Sequence, residues 1–323
     1  MNSGKLLAPF SIFMYCICTA LSAVWISFSF TNISGFFVTF FSLFVAFCVF
    51  VFLQKRSGGN VFKLTRVFFG EMLILNVLTL TSWLFAFLSL YKIEPSIECA
   101  VFQGSLPIGV LLCELIAGKV KVFSKRALGI FLIAINLAAL VIFRLYYADG
   151  VFNFTANELR LGVFLAFTGG LSAGIYVFRS AKLYDYGAST LEILCNRFFL
   201  LLVITAAISA KELVSITTLD SFILVKLLLL AFISVVIPVF ALQYSVQKLG
   251  APRVSIITPF IPAIALTIEM FTKGWPSFWV PLLIVTTCLS ILLANFWMRK
   301  KKTPDLTPPS SNEYSAGWRK VWS

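Results

Sequence analysis

Ten apolar stretches, each close to the length a helix needs to cross a bilayer, take up most of this 323-residue chain. A spanning helix requires about 20 predominantly apolar residues. Stretches of that kind are read at 8–30, 34–53, 66–90, 96–117, 127–147, 160–181, 189–209, 222–246, 252–272 and 277–298. The composition agrees: 60% of residues are hydrophobic and 12% are charged, against roughly 25% charged in ordinary soluble domains. No soluble core buries that much apolar surface, so lipid is the solvent. The expected fold class is an all-α polytopic membrane protein of ten transmembrane helices. The connections are short, which leaves no room for an inserted soluble domain.

The net charge of +13 does not imply nucleic acid, because the basic residues are scattered over short loops between spans. With the N-terminus inside, nineteen of them face the cytoplasm, and Lys92, Arg144, Arg160, Lys211 and Lys273 face outward. The positive-inside rule therefore predicts that both termini are cytoplasmic. Arg197 and Lys226 fall within spans. Residues 6–30 are read as a retained first span rather than a cleaved signal, since no soluble mature domain follows. The polar, Pro- and Ser-containing stretch 303–323 is expected to be a flexible cytoplasmic tail. Two glycosylation sequons, at Asn32 and Asn153, fall in predicted outer loops.

Histidine is absent, which removes the commonest metal ligand and general base. The seven cysteines lie in or beside apolar stretches without metal-site spacing and read as small packed hydrophobes. No metal and no cofactor is expected. "GGLSAG", carrying Gly169, Gly170 and Gly174, lacks the strand–loop–helix context of a phosphate loop. Its small residues are spaced for close helix approach.

The chain repeats itself. A shift of 155 residues places Phe240-Ala241 on Phe85-Ala86, Pro262 on Pro107 and Glu269 on Glu114. A shift of 150 brings Leu171-Ser172-Ala173 onto Leu21-Ser22-Ala23. Five spans thus repeat as five spans, over 1–150 and 151–302. Because five is odd, the second copy enters the membrane upside down. Each glutamate lies about 10 Å along its helix from its proline, at 1.5 Å per residue. Glu114 is then placed toward the cytoplasmic end of its helix and Glu269 toward the outer end. Two inverted five-helix repeats with equivalent gates on either side form the architecture of alternating access. Pro107, Glu114, Pro262 and Glu269 are gate or helix-end candidates.

The segments "FAFLSLYKIEPSIECAVFQGSLPIGVLLCELIAGK" and "FALQYSVQKLGAPRVSIITPFIPAIALTIEMFTKG" resemble the EamA-type members of the drug/metabolite transporter (DMT) superfamily. In that family each half carries an Ala-rich helix end, a short turn, a helix with a mid-span proline and a glutamate just past it. The first copy departs from the pattern, with Glu-Leu-Ile-Ala-Gly at 114–118 where a Gly-Glu pair is usual. The resemblance implies that helices 1, 3, 4, 6, 8 and 9 surround a central cavity. Carriers of cationic metabolites, S-adenosylmethionine among them, belong to the same superfamily.

Polar groups inside spans are costly, at least about 2.5–3.5 kcal/mol for a charge at the helix centre, and need a partner or a wet cavity. Glu71 is read either as a cation-binding or proton-coupling carboxylate or as an interfacial pair with Arg66 or Lys63. Asn76, Thr79 and Trp83 share a helical stripe that suits a cavity wall or a helix contact. Arg197 suits a substrate carboxylate or phosphate, but a structural pair with Glu192 or another carboxylate is preferred on sequence alone. Gln103, Tyr176, Gln243, Tyr244, Thr258 and Trp25 complete the candidate cavity lining, and Glu98 is a further polar group in the fourth span.

The leading expectation is a secondary transporter of small organic metabolites working by alternating access, by exchange or proton coupling. Glu71 favours a cation and Arg197 an anion. Together they suit a zwitterion such as an amino acid or an S-adenosylmethionine-like compound. A broad-specificity exporter is the alternative. A non-transporting scaffold or receptor would need a larger loop or tail. An enzyme would need a cluster of catalytic carboxylates, histidine or a metal site, and the sequence offers none. The expected partners are a small-molecule substrate and the lipid bilayer, with a homo-oligomer compatible and nucleic acid not. The expected location is a bacterial inner membrane.

Overall fold

The computed structural model describes residues 3–30, 33–118, 121, 124–146, 154–214, 221–249, 258, 260–274 and 278–298. Among the described residues the chain is helical and contains no strand. In lipid every backbone group must be satisfied internally, and the helix does so within one segment.

The helices are α1 (Ser3–Ser29), α2 (Gly35–Arg56), α3 (Lys63–Val67), α4 (Phe69–Ser89), α5 (Pro95–Ile116), α6 (Lys125–Tyr146) and α7 (Ala156–Asp185). They continue as α8 (Thr190–Asn196), α9 (Phe199–Ile208), α10 (Ala210–Val214), α11 (Ser221–Ala231), α12 (Ile237–Leu249), α13 (Phe260–Lys273) and α14 (Trp279–Met298). Eight segments are long and apolar enough to cross a membrane, and two shorter apolar helices, Phe260–Thr272 and Trp279–Leu293, follow them. Helices of this number, length and apolarity mark the chain as an integral multi-pass membrane protein. The predicted ninth span, 252–272, is described at Thr258 and from Phe260 onward; the sequon asparagines and the tail lie outside the described residues.

Local chemistry sets the helix ends. Pro95 opens α5 at a position where no N–H is needed. Reciprocal capping boxes, Thr155 with Glu158 and Ser189 with Glu192, start α7 and α8. The first of these places the start of α7 four residues before the predicted edge of the sixth span. Three predicted continuous spans are interrupted. The third breaks at Phe68, and the seventh at Arg197 and Phe198. The eighth carries a π-helical turn, Phe232–Val236, between α11 and α12. Its cause is Pro238, which has no N–H for the carbonyl of Ser234 and whose ring crowds it.

Within the bundle α7 packs against α4 and α5, and α1 packs against α12 and α13. In addition α6 lies on α14, α5 on α13, and α2 on α8 and α9. The α5–α7 crossing is close because both helices present glycine. A Cβ at Gly174 would collide with the Leu106 carbonyl oxygen, one at Gly109 with that of Leu171, and one at Gly170 with that of Phe102. The obstacle is backbone in each case and cannot rotate away. Gly174→Leu is therefore expected to cost about 1–3 kcal/mol through overpacking, measured as a lower unfolding midpoint of the purified protein. A wild-type midpoint would show that the crossing yields without cost.

Candidate functional site

The break between α8 and α9 exposes backbone groups that lipid cannot satisfy, and one side chain brackets it. Asn76 of α4 donates its Nδ2 to the Asn196 carbonyl at 2.8 Å and accepts the Leu200 N–H on Oδ1 at 3.2 Å. Its Nδ2 also meets the Met72 carbonyl at 2.8 Å. Asn196 is fully buried and ties the same break to the α2–α3 region. It donates to the carbonyls of Val61 at 2.6 Å and Glu192 at 2.7 Å, and accepts from the Thr65 hydroxyl at 2.5 Å. Asn76 thus acts as a brace for a discontinuous helix rather than as an open wall.

The bracketed break presents Arg197. Its side chain is 5% exposed, and its guanidinium carbon lies 4.0 Å from the ring centroid of Tyr176 and 5.1 Å from that of Phe198. Nε has no hydrogen-bond partner. The predicted pair with Glu192 does not form, because that carboxylate is engaged at the start of its own helix, accepting from the Ser189 N–H at 2.8 Å. No carboxylate among the described residues is in ion-pair contact with Arg197.

Around the guanidinium stand Tyr176, 4% exposed and with no partner for its hydroxyl beyond the guanidinium, Tyr184 and Tyr15. The Tyr184 hydroxyl donates to Gln243 Oε1 and lies 3.4 Å from the Thr190 hydroxyl. A desolvated cation–π contact contributes about 2 kcal/mol. Burying an ion costs several kcal/mol, and an arginine keeps its proton. The rings alone do not offset the charge.

A second polar group lies at the opposite end of α5. Arg144 donates through Nε to Glu94 at 2.9 Å, with both side chains buried. Glu269 of α13 accepts the Ser96 N–H at 2.9 Å, at the positive end of α5. Ser89 donates a long 3.5 Å bond to the buried Glu98. Arg144, counted with the outer-facing charges in the sequence, is instead buried in the last turn of α6.

Glu71 pairs with Arg179 of α7 at 2.9 Å, not with Arg66 or Lys63. The two side chains are 20% and 34% exposed, so the pair is worth about 0–1 kcal/mol. Glu71→Gln is accordingly expected to move the unfolding midpoint by no more than about 3 °C. A larger drop in a thermal melt would show that the carboxylate carries more of the fold than this pair.

Of the remaining candidates, the fold gathers Tyr176, Arg197 and Gln243, with Asn76 as their support. Gln103 is buried beside Tyr15. Its carbonyl faces Pro107, which has no N–H to give it. Trp25 and Trp83 are half-buried and pack against one hydrophobic cluster, 6.1 Å from Phe30 and 6.2 Å from Phe87. Tyr244 and Glu114 are half-buried, and Pro262 is buried in the first turn of α13. Thr258 sits in a turn and accepts the Ile261 N–H at 3.0 Å. Sequence reasoning missed Tyr15, Tyr184 and the Glu94–Arg144 pair. Tyr184 lies eight residues after Tyr176, a helical spacing that could have flagged it. No local signal marks the others. Among the described residues no group of His, Cys, Asp and Glu could hold a metal ion.

Residues 160–296 match the model of the EamA-like transporter family. No curated protein matches the chain. Among solved structures, one crystal structure of a protein at 13% identity superposes with a TM-score of 0.56, covering 93% of this chain and 99% of its own. At that identity the likeness shows the fold alone. Residues 160–296 thus carry the likeness of an EamA-like transporter domain, a family within the drug/metabolite transporter superfamily.

Proposed function

We propose that this protein is a secondary transporter of small organic metabolites that works by alternating access. In this reading residues 1–150 and 151–302 are two five-helix repeats inverted in the membrane, with both termini cytoplasmic in a bacterial inner membrane and 303–323 a cytoplasmic tail. The observation that carries it is reciprocal packing. α7, which opens the second half, lies against α4 and α5 of the first, and α1 lies against α12 and α13 of the second. Exchanging the halves exchanges these contacts, as a two-fold relation requires. The breaks and prolines in α3–α4, α5, α8–α9 and α11–α12 provide places where such halves can rock.

The substrate class is an amino acid or an S-adenosylmethionine-like zwitterion, moved by exchange or with protons. The polar cluster at Arg197 draws on both halves, through Asn76 of α4 and through Tyr176, Tyr184 and Gln243. The test is counterflow. Proteoliposomes of the purified protein, preloaded with a mixture of unlabelled amino acids or with S-adenosylmethionine, should accumulate the labelled counterpart above protein-free vesicles. Equal uptake with and without protein, for both preloads, would remove this substrate class.

A further inference from the structure

Resting on the transporter reading, we infer that Arg197, stacked against Tyr176 and Phe198, is the subsite that takes the anionic group of the transported solute. The chemistry is that of a small oxyanion, a carboxylate or a phosphate monoester.

The geometry argues by elimination. Arg197 is 5% exposed. Glu192, the acid nearest in sequence, is already committed to the Ser189 N–H, and Glu71 to Arg179. Glu94 is committed to Arg144 at the far end of α5. The rings of Tyr176 and Phe198 stack against the guanidinium. Aromatic stacking leaves the N–H donors at the edge of the plane available to a flat oxyanion. Nε is buried without a hydrogen-bond partner, and the Tyr176 hydroxyl, also buried, has no partner beyond the guanidinium it lies against. An unspent guanidinium N–H with a tyrosine hydroxyl close by supplies the donors that a carboxylate accepts.

The backbone around the site is also built for it. A break in the middle of a span is tolerated where it lines a binding site. Here Asn76 and Asn196 hold that break in register, and Arg197 is the residue it displays. Because the side chain is enclosed, a solute reaches it only when the two halves part, as alternating access requires. A permanent cation that lacks an acid group would meet the like charge of the guanidinium and is disfavoured.

The experiment uses purified full-length protein and matched probes: L-methionine against L-methioninamide, and adenosine 5′-monophosphate against adenosine. Binding is read by thermal shift and by titration calorimetry. The acid-bearing member of one pair should bind and the counterpart that lacks the acid group should not, and which pair responds separates carboxylate from phosphate. Arg197→Met should weaken that binding at least 10-fold while leaving the unliganded unfolding midpoint at or above wild type, since it removes a buried, unpaired charge. Arg197→Lys keeps the charge and loses the planar fork. It should fold and bind at least several-fold more weakly, so a failure of the methionine variant to fold does not spare the idea.

Equal binding of both members of a pair, wild-type affinity in Arg197→Lys, or binding by neither acid-bearing probe overturns the subsite. A large fall in the unliganded midpoint of Arg197→Met also overturns it, because a structural role predicts that fall. Counterflow separates the two readings. Transport of neutral solutes that ignores Arg197 substitutions leaves the transporter and removes the subsite. Binding of the acid-bearing probe without counterflow leaves the subsite and removes the transporter.

Discussion

Arg144→Met is expected to destabilise the protein by about 3–5 kcal/mol, the cost of leaving a buried charge without its partner. The Glu94 carboxylate would remain enclosed with both oxygens uncompensated, since Oε2 already has no partner and Oε1 depends on Arg144. The double variant Glu94→Leu with Arg144→Met removes both charges and is expected to recover most of the loss. Denaturant unfolding of Arg144→Met, Glu94→Leu and the double variant in one detergent gives the coupling energy directly. A loss under about 1 kcal/mol in Arg144→Met would mean that the Glu94 carboxylate finds water or another donor once the arginine is gone. Because Glu94 immediately precedes Pro95, and Glu269 caps the same helix end through Ser96, this pair also fixes where α5 meets α13.

The second large effect is Asn76→Leu. The substitution keeps side-chain size and removes the brace, orphaning the Asn196 carbonyl and the Leu200 N–H. Each buried group left without a partner costs about 1–3 kcal/mol, so the pair should cost about 2–6 kcal/mol. The thermal midpoint should fall accordingly, and binding at Arg197 should weaken although Asn76 touches no ligand in the proposed scheme. An unchanged midpoint would show that the α8–α9 break closes into a regular helix once Asn76 is gone. That outcome would make the break a product of the side chain rather than of the fold.

These two residues show where reading the chain stops. Asn76 is visible as a polar residue on a stripe with Thr79 and Trp83, and that stripe suits a cavity wall or a helix contact equally. What it meets is a helix break 120 residues away, and nothing at positions 72–83 encodes that break. Arg197 was visible as a charge within a span, and pairing with Glu192 was the economical expectation. The Ser189 capping box claims Glu192 first, a competition between two local rules that spacing alone does not resolve. Glu71 reads in the sequence either as a cation-binding or proton-coupling carboxylate or as a pair with Arg66 or Lys63, and the bundle pairs it with Arg179, 108 residues on.

By itself the sequence determined the solvent, the helical class, the lengths of most spans, the internal repeat of Pro107–Glu114 in Pro262–Glu269, and the small-residue face of α7. All of these follow from hydropathy and spacing, which act over one or two helical turns and are set by the thickness of the bilayer. Only the tertiary structure decided which charges are paired, which amides are spent on holding a broken helix, and which cation is left enclosed between two rings. Those outcomes depend on which helices touch, and in a bundle the touching residues are separated by 50 to more than 100 positions of chain.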